Sequence, residues 1–505
     1  MQVELKQGKL ENFNSELLAV GVFENAPLNG AAKELDKILS GKIVRHVKDE
    51  RFEGKEGEAL VVDTEEKKIP ARLVLVLGLG KQKNFNLETI RRTAAISVKK
   101  AEELKIKNIA SAIYGAGVEK IPVDLAGQAM TEGALLGHYK FLKFKSEEAR
   151  KKISAVENFT IVEADRLKFK KELKGLEKGL LYGEAAILAR DLVNEPSSYT
   201  TPKMLSQLAL TMVKQCPSLK VQVFGKAELE TMGARAFLAV ARGSDEEPFL
   251  VHFVYKPTKK NKKLKKICLV GKGLTFDAGG LSLKPANSMT TMKLDMSGAA
   301  AVFGVFSALE KLKINAEVHG VVPLCENMPS GKAVKPGDVV KSMSGKTIEI
   351  LNTDAEGRVV LADALTYAQK LKPDLMIDLA TLTGACIVAL GEDVAGLMSN
   401  NQKLAEKIKV AAQEAGEFFW ELPLVPEYKQ FMKSNVADLA NTHSGARWGD
   451  AIFGGLFLQE FVGETPWAHL DIAGPAFAEQ DIISYMPKGG TGFGVRTILN
   501  FLENL

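Results

Sequence analysis

Histidine is scarce in this 505-residue chain: there are six, with no HExxH pair and no two close together. That argues against a mononuclear zinc hydrolase built on imidazole ligands. The lack of a GxSxG segment removes support for Ser/His/Asp catalysis. Cysteine is scarce too. Cys216, Cys268, Cys325 and Cys386 are scattered, without a CxxC pair and mostly in apolar sequence. They read as reduced, buried thiols of a cytoplasmic protein. Net charge is small: 67 basic against 62 acidic residues leaves +5, too mild to imply a polyanionic partner. The first six residues, MQVELK, lack the apolar core of a signal peptide. No apolar run is expected to reach the length of a membrane span. Phosphate loops are incomplete as well. Gly78-Leu79-Gly80-Lys81 lacks the third glycine of a dinucleotide loop, and Ser344-Gly345-Lys346-Thr347 has Val340 where a phosphate loop needs its first glycine. Both read as turns.

What is present is an ordinary globular composition, 46% hydrophobic and 26% charged, in a chain long enough for two cores. Strand-like runs at 17–23, 59–63, 73–77, 108–114 and 153–162 alternate with helical patterns at 87–104 and 125–139. This predicts a first α/β domain over 1–170. The Lys/Glu-rich stretch 140–178 marks its end, and a helical pattern at 176–192 makes 171–195 a connecting helix. From 196 to 505 the alternation resumes, with a helix at 202–214 and strands at 221–224, 236–241, 249–255, 267–270, 317–324, 375–380, 394–398 and 468–472. Most are continuous apolar runs, as in a sheet covered on both faces. The fold class is α/β: a smaller N-terminal domain and a larger C-terminal domain with a central mixed sheet flanked by helices. Between 256 and 266 seven of eleven residues are lysine. Without interleaved aromatics this reads as a solvated hairpin tip rather than a nucleic-acid patch.

The segment Leu351-Asn352-Thr353-Asp354-Ala355-Glu356-Gly357-Arg358 stands out. It follows a strand-like run at 346–350 and precedes a helical pattern. Asp354, Glu356 and Arg358 occupy alternate positions, which in extended chain would share one face, with Gly357 permitting a change of direction. The competing reading is a capped helix with surface charges. It loses weight against a second segment, residues 271–285, which is rich in glycine and carries Lys272, Asp277 and Lys284, with Asp295 soon after. Charges set in apolar sequence are costly unless paired or bound to metal. Carboxylate-dominated ligation favours a two-metal centre. Asp277, Asp295, Asp354 and Glu356 together carry a formal charge that balances two divalent ions, with Lys272 able to join only as a neutral amine.

The run Asn352-Thr353-Asp354-Ala355-Glu356-Gly357-Arg358, with Lys272, Asp277, Lys284 and Asp295 upstream, resembles the leucyl aminopeptidase (cytosol aminopeptidase) family. The resemblance extends over about 185–500 and includes Ala189-Arg190-Asp191-Leu192-Val193-Asn194-Glu195-Pro196 and Trp467-Ala468-His469-Leu470-Asp471-Ile472-Ala473-Gly474. In the first 170 residues only the layout matches. The resemblance implies a dinuclear exopeptidase that removes leucine and other, mainly apolar, N-terminal residues by a metal-bridging hydroxide. Asp277 and Glu356 would bridge two Zn²⁺ or Mn²⁺ ions, Lys272 and Asp295 would complete the tighter site, and Asp354 the more exchangeable one. Lys284 would stabilise the oxyanion, and Arg358 would hold a bicarbonate ion as general base. Met292, Thr381, Gly384 and Ala473 would line the side-chain pocket. It further implies peptide substrates with a free N-terminus, a homohexamer and no membrane partner. Some bacterial relatives also bind DNA, a role for which the lysine cluster is the one candidate here. A different two-metal hydrolase, such as a phosphoesterase, is the other rival, and Lys284 beside Arg358 stands against it. One departure concerns the loop after Asp438, where a glycine-rich segment is replaced by Asn441–Gly449 bearing Arg447 and Trp448.

Overall fold

The computed structural model describes the chain apart from residues 65–67, 116–120, 215, 259–263, 444–447 and 482. It divides into two compact units: Met1–Glu184 with Gln480–Pro487, and Ala185–Glu479 with Lys488–Leu505. The division falls inside one helix, Arg166–Asn194, of 29 residues. That helix begins ten residues before the expected pattern. Its Lys/Glu-rich first turns read as a change of composition in sequence, but they are the solvated start of the same helix.

The smaller unit holds strands β1 (Gln2–Gln7), β2 (Leu17–Val22), β3 (Ala59–Asp63), β4 (Leu73–Gly78), β5 (Asn108–Ala112) and β6 (Asn158–Glu163). Their order is β1-β6-β5-β2-β4-β3, parallel except for β3. The period-2 rule assigns the two cores. Leu17 and Ala19 of β2 face a cluster that includes Ile90, Ala94, Met130 and Ala134 of helices Leu87–Glu103 and Val123–His138. Leu18, Val20 and Val22 face Ala32, Leu35 and Ile43 of the two short helices on the other side. Strand β1, QVELKQ, has too short an alternation of polar and apolar residues to stand out in the sequence.

The larger unit holds β7 (Leu219–Phe224), β8 (Phe249–Tyr255), β9 (Lys266–Gly271), β10 (Gly273–Asp277), β11 (Glu317–Asn327), β12 (Val339–Lys341), β13 (Thr347–Glu349), β14 (Leu375–Ala380), β15 (Val394–Ser399), β16 (Phe418–Glu421), β17 (Leu439–Ala440) and β18 (Trp467–Asp471). The main sheet is mixed, ordered β16-β15-β18-β14-β9-β11-β8-β7, with β10 paired to β11. Cys268 and Val270 of central β9 pack into the same core as Val360, Leu361, Leu365 and Phe457, from helices Glu356–Lys370 and Asp450–Gln459. Helix Ser297–Leu312, nearly all buried, covers the opposite face. The fold is thus α/β in two domains, the larger built on a mixed sheet flanked by helices.

Three sequence expectations are corrected. The run 236–241 is not a strand but helix Arg235–Ala241, anchored where Asp363 Oδ2 accepts a hydrogen bond from Phe237 N at 2.9 Å. A short apolar run does not distinguish a strand from a buried helix by periodicity, and three alanines favour the helix. The lysine-rich stretch is no hairpin tip, since β8 and β9 do not pair. β11 lies between them, antiparallel to β8 and parallel to β9. Residues 259–263 of that stretch lie outside the described residues. Finally, Met292–Leu312 does reach the length and apolarity of a membrane span, but most of it is buried inside the larger unit, as the core helix of a globular domain is. The turn at Gly345 is as expected and joins antiparallel β12 and β13, whereas Gly78 ends β4 and Gly80, at φ +68°, follows in irregular chain.

Candidate metal centre

The charged residues singled out in the sequence meet at the carboxyl ends of the central strands, where open α/β sheets place their ligands. β9 ends at Gly271, and Lys272 follows with both its backbone groups engaged. Its N–H donates to Leu379 O at 3.0 Å, and its carbonyl accepts from Ala299 N at 2.8 Å. β10 ends in Asp277, whose Oδ1 accepts from Gly279 N and Asn327 Nδ2, each at 2.8 Å. The same Asn327 amide donates to Thr353 O at 3.0 Å, tying the two charged segments together. Thr353 adds two more links, donating to Gly279 O and accepting from Ser282 N, both at 2.7 Å.

The alternate-face argument for Asp354, Glu356 and Arg358 does not hold. Asp354 is in the loop, whereas Glu356 and Arg358 are the first and third residues of helix Glu356–Lys370. Alternate residues on a helix point about 200° apart. Glu356 turns into the site, where the helix N-terminus favours a carboxylate. Arg358 lies against the Phe453 ring, 5.2 Å from its centroid, and donates to Asn441 O at 3.1 Å, with Asp450 Oδ1 at 3.5 Å. Gly357 has no left-handed backbone to supply. Its missing side chain is what matters, because a Cβ there would lie 2.5 Å from Lys272 Cε.

Two lysines and four carboxylates result, with Lys272, Asp277, Asp295 and Glu356 nearly inaccessible to solvent. Lys272 Nζ contacts Asp295 Oδ1 at 2.7 Å, Glu356 Oε1 at 3.0 Å and Thr381 O at 2.9 Å. Lys284 Nζ contacts Asp354 Oδ1 at 2.6 Å and Asp277 Oδ2 at 2.9 Å. Thr381 Oγ1 donates to Asp295 Oδ1 at 2.7 Å. Burial works against the charge of both lysines, but the surrounding carboxylates outweigh it and hold both ammonium groups above their ordinary range. Burial, with Asp277 second, pushes the Glu356 and Asp354 carboxyls up, and burial does the same for Asp295. Negative charge is therefore in excess.

These residues fit a metal. One oxygen from each of Asp277, Asp354 and Glu356 lies within 4.8 Å of the others. Asp295 Oδ2 and Glu356 Oε2 are buried with no hydrogen-bond partner among the described residues. Orphaned buried oxygens are rare without a missing cation or water, and a carboxylate-rich set suits a hard divalent cation. A cavity of about 420 Å³ opens over the cluster. Its wall includes Lys272, Asp277, Lys284, Asp295, Asp354, Glu356 and Arg358, and also Met292, Thr381, Gly384 and Ala473. All eleven residues expected at the site are thus brought together.

Sequence reasoning missed the residues that hold them. Asn327 and Thr353 tie Asp277 to the loop. Buried Asn441 accepts from Leu351 N at 2.8 Å and donates to Asn352 O at 2.7 Å, besides taking the Arg358 guanidinium on its carbonyl. A lone asparagine at a strand end carries no pattern. Of the departing loop, Thr442 lines the cavity and Trp448 is exposed, while Arg447 lies outside the described residues.

A carboxylate cluster of this kind at the end of a mixed, helix-covered sheet defines a metal-dependent hydrolase. The comparisons give the family. Residues 187–499 match the model of the cytosol aminopeptidase family catalytic domain, and 19–148 that of the same family's N-terminal domain. The chain is 42% identical to a probable cytosol aminopeptidase of Alkaliphilus oremlandii, over the full length of both. It is 43% identical to one of Aquifex aeolicus, covering 99% of this chain and 98% of the relative. Among solved structures it resembles a mutant tomato leucine aminopeptidase, with a TM-score of 0.89, 33% identity and coverage of 100% and 97% of the two chains. It also resembles the bottromycin maturation enzyme BotP in complex with Mn, with a TM-score of 0.84, 35% identity and coverage of 97% and 99%. The chain belongs to the cytosol aminopeptidase family and is a metal-dependent aminopeptidase.

Proposed function

We propose that this aminopeptidase binds two divalent ions per subunit, Zn²⁺ or Mn²⁺, and removes leucine and other, mainly apolar, residues from peptides with a free N-terminus. The observation that supports this reading is the excess of carboxylate, with two orphaned oxygens, beneath a cavity large enough for a side chain. Asp277 and Glu356 would bridge the ions, Lys272 and Asp295 would complete one site, and Asp354 the other. Lys272 would join as a neutral amine, which becomes accessible once its carboxylate neighbours turn to the metals. When bound, the ions would anchor the substrate amine and acidify a bridging water to a hydroxide nucleophile near neutral pH.

The chain's own groups would then do the rest. Lys284, an ammonium held over Asp277 and Asp354, would stabilise the charge that develops on the scissile carbonyl oxygen. Arg358 would hold a bicarbonate ion, which would supply a general base. Met292, Thr381, Gly384 and Ala473 would receive the first side chain. Assembly as a homohexamer is part of the proposal, checked by sedimentation. So is a cytosolic location, which the free cysteines, three of them buried, support.

The test is release of a chromogenic amine from a leucyl amide after chelation and re-addition of Mn²⁺ or Zn²⁺. Activity restored by metal, and absent when the leucyl amine is acetylated, supports both the metal requirement and the amine anchor. A folded protein inactive with every metal would overturn it.

A further inference from the structure

Of the segment Trp467–Gly474, singled out in the sequence, the proposed function uses only Ala473. Its aspartate, Asp471, is wholly buried and stands outside the metal-binding cluster. A buried carboxylate is costly unless its oxygens are met. Here the chain itself meets them. Asp471 ends β18 opposite Ala380, the last residue of β14. Its Oδ1 accepts from Leu382 N and Ala473 N, each at 3.2 Å, with Thr383 N farther off at 3.5 Å. Its Oδ2 accepts from Thr383 Oγ1 at 2.7 Å. The same Thr383 oxygen accepts from Cys386 N at 3.1 Å and so caps helix Gly384–Leu390. One carboxylate therefore fixes the turn that leaves β14 and the start of the helix after it.

What that turn carries is Thr381. Its carbonyl accepts from Lys272 Nζ at 2.9 Å, and its hydroxyl donates to Asp295 Oδ1 at 2.7 Å. Lys272 and Asp295 are the two residues assigned to complete one metal site, and a single threonine orients both. With Oδ1 engaged by Thr381 and Lys272, Asp295 keeps its partnerless Oδ2 for an ion. Lys272, once a neutral amine, has a single lone pair to offer. An N–H held on the Thr381 carbonyl decides where that lone pair points. Asp354, assigned to the other site, is placed by different means. Its N–H donates to Asn352 Oδ1 at 2.9 Å, and Asn441 holds the Asn352 carbonyl at 2.7 Å.

We propose that Asp471 is a positioning residue for the metal centre, holding Thr381 so that Lys272 and Asp295 present one amine lone pair and one carboxylate oxygen to the same ion. This rests on the two-metal reading above. It adds to that reading a residue that binds no ion itself and acts on one of the two sites.

The experiment loads the enzyme with Zn²⁺ and follows its release to a chromogenic chelator over a range of chelator concentrations, which gives an affinity for each ion. Asp471→Asn keeps the shape but replaces an oxygen acceptor by an amide. It should weaken the ion of the Lys272 and Asp295 site by about 10–100-fold, the usual cost of losing a partner that orients a ligand, and leave the other within about twofold. Thr383→Val should act in the same direction. Thr383→Ser, which keeps the hydroxyl, should restore the parental value. This second pair carries the test if Asp471→Asn does not fold. A role in folding alone would lower the thermal stability without separating the two ions. Equal weakening of both ions, or parental affinity for both in a folded variant, overturns the positioning role. A parent enzyme that binds fewer than two ions overturns the two-metal reading, and the positioning role with it.

Discussion

Each unit buries a charge network, and the two differ in how they end. In the smaller unit Arg91 and Glu132, both almost wholly buried, meet at 2.7 Å between helices Leu87–Glu103 and Val123–His138. Gln128 Nε2 donates to the second Glu132 oxygen at 2.7 Å, and Glu88 lies 3.5 Å from Arg91. Each Glu132 oxygen has a donor. In the larger unit four carboxylates face two lysines, and two buried oxygens lack a partner among the described residues. Breaking a buried pair strands a charge, whereas a satisfied one fixes how two helices dock. A network left unsatisfied, by contrast, costs stability until a cation arrives. Completeness marks the structural network, and the shortfall marks the functional one.

Removing one partner from each network should expose that difference most sharply. Glu356→Gln removes an assigned bridging ligand and should lower kcat by three orders of magnitude or more, a loss of about 4 kcal/mol or greater in transition-state stabilisation. Metal content, read by atomic emission, should fall with it. The metal-free protein should melt no lower than the parent, because an excess carboxylate has gone. Arg91→Ala should do the reverse, costing about 3–5 kcal/mol in denaturant unfolding, while metal content per folded molecule stays at the parental level. A metal-free Glu356→Gln protein that unfolds more readily than its parent would mean that the site carboxylates are balanced after all.

How far each network was legible in the sequence follows the same division. The metal cluster could be read because its residue types are out of place: Asp295 just before an apolar helix, and Lys272 and Asp277 among glycines. The spatial logic was wrong in detail, since Glu356 and Arg358 share a helix N-terminus rather than a strand face. Glu356 meets Lys272 because Gly357 lets the lysine pass beside the first turn. Asn327 and Asn441 left no trace, because a hydrogen bond between residues far apart in the chain has no periodicity. Arg91 and Glu132 were equally silent. Each sits in an amphipathic helix where a charge is ordinary, and only the docking of the two helices makes it buried. The alternating α/β pattern was legible for most strands of the two large sheets but not for β1, β10 or β16, and it failed where an alanine-rich run at 236–241 was short enough for either structure.

Lys284→Ala sharpens the comparison from inside the functional network. Lys284 neutralises Asp277 and Asp354 in the metal-free site, yet its proposed work is on the developing oxyanion. Its removal should cost about 10²–10³ in kcat, or ~3–4 kcal/mol. Both metals should be retained, or bound more tightly, since a competing cation has gone. Loss of metal together with rate would assign Lys284 to the structural side of the division instead.

The smallest expected effect tests an acid of the smaller unit that breaks its rule of completeness. Glu172, 1% exposed, has an Oε2 without a partner among the described residues, and burial together with Glu163 pushes its carboxyl up to about 9. Among the described residues it belongs to no cluster with metal-ligand spacing, so here the shortfall should be met by a proton rather than a cation. The sign follows from linkage. From the ordinary carboxylate range near about 4.3 up to the raised value, the folded state binds a proton that the unfolded state has released, so stability falls as pH rises through that window. Glu172→Gln keeps a neutral group of the same shape, with an amide able to donate to Glu163. It should be nearly neutral at pH 4 and stabilise the smaller unit by on the order of 1 kcal/mol at pH 8. Denaturant unfolding at the two pH values reads the difference. An equal effect at both would show that Glu172 is charged and paired in the folded protein, like Glu132.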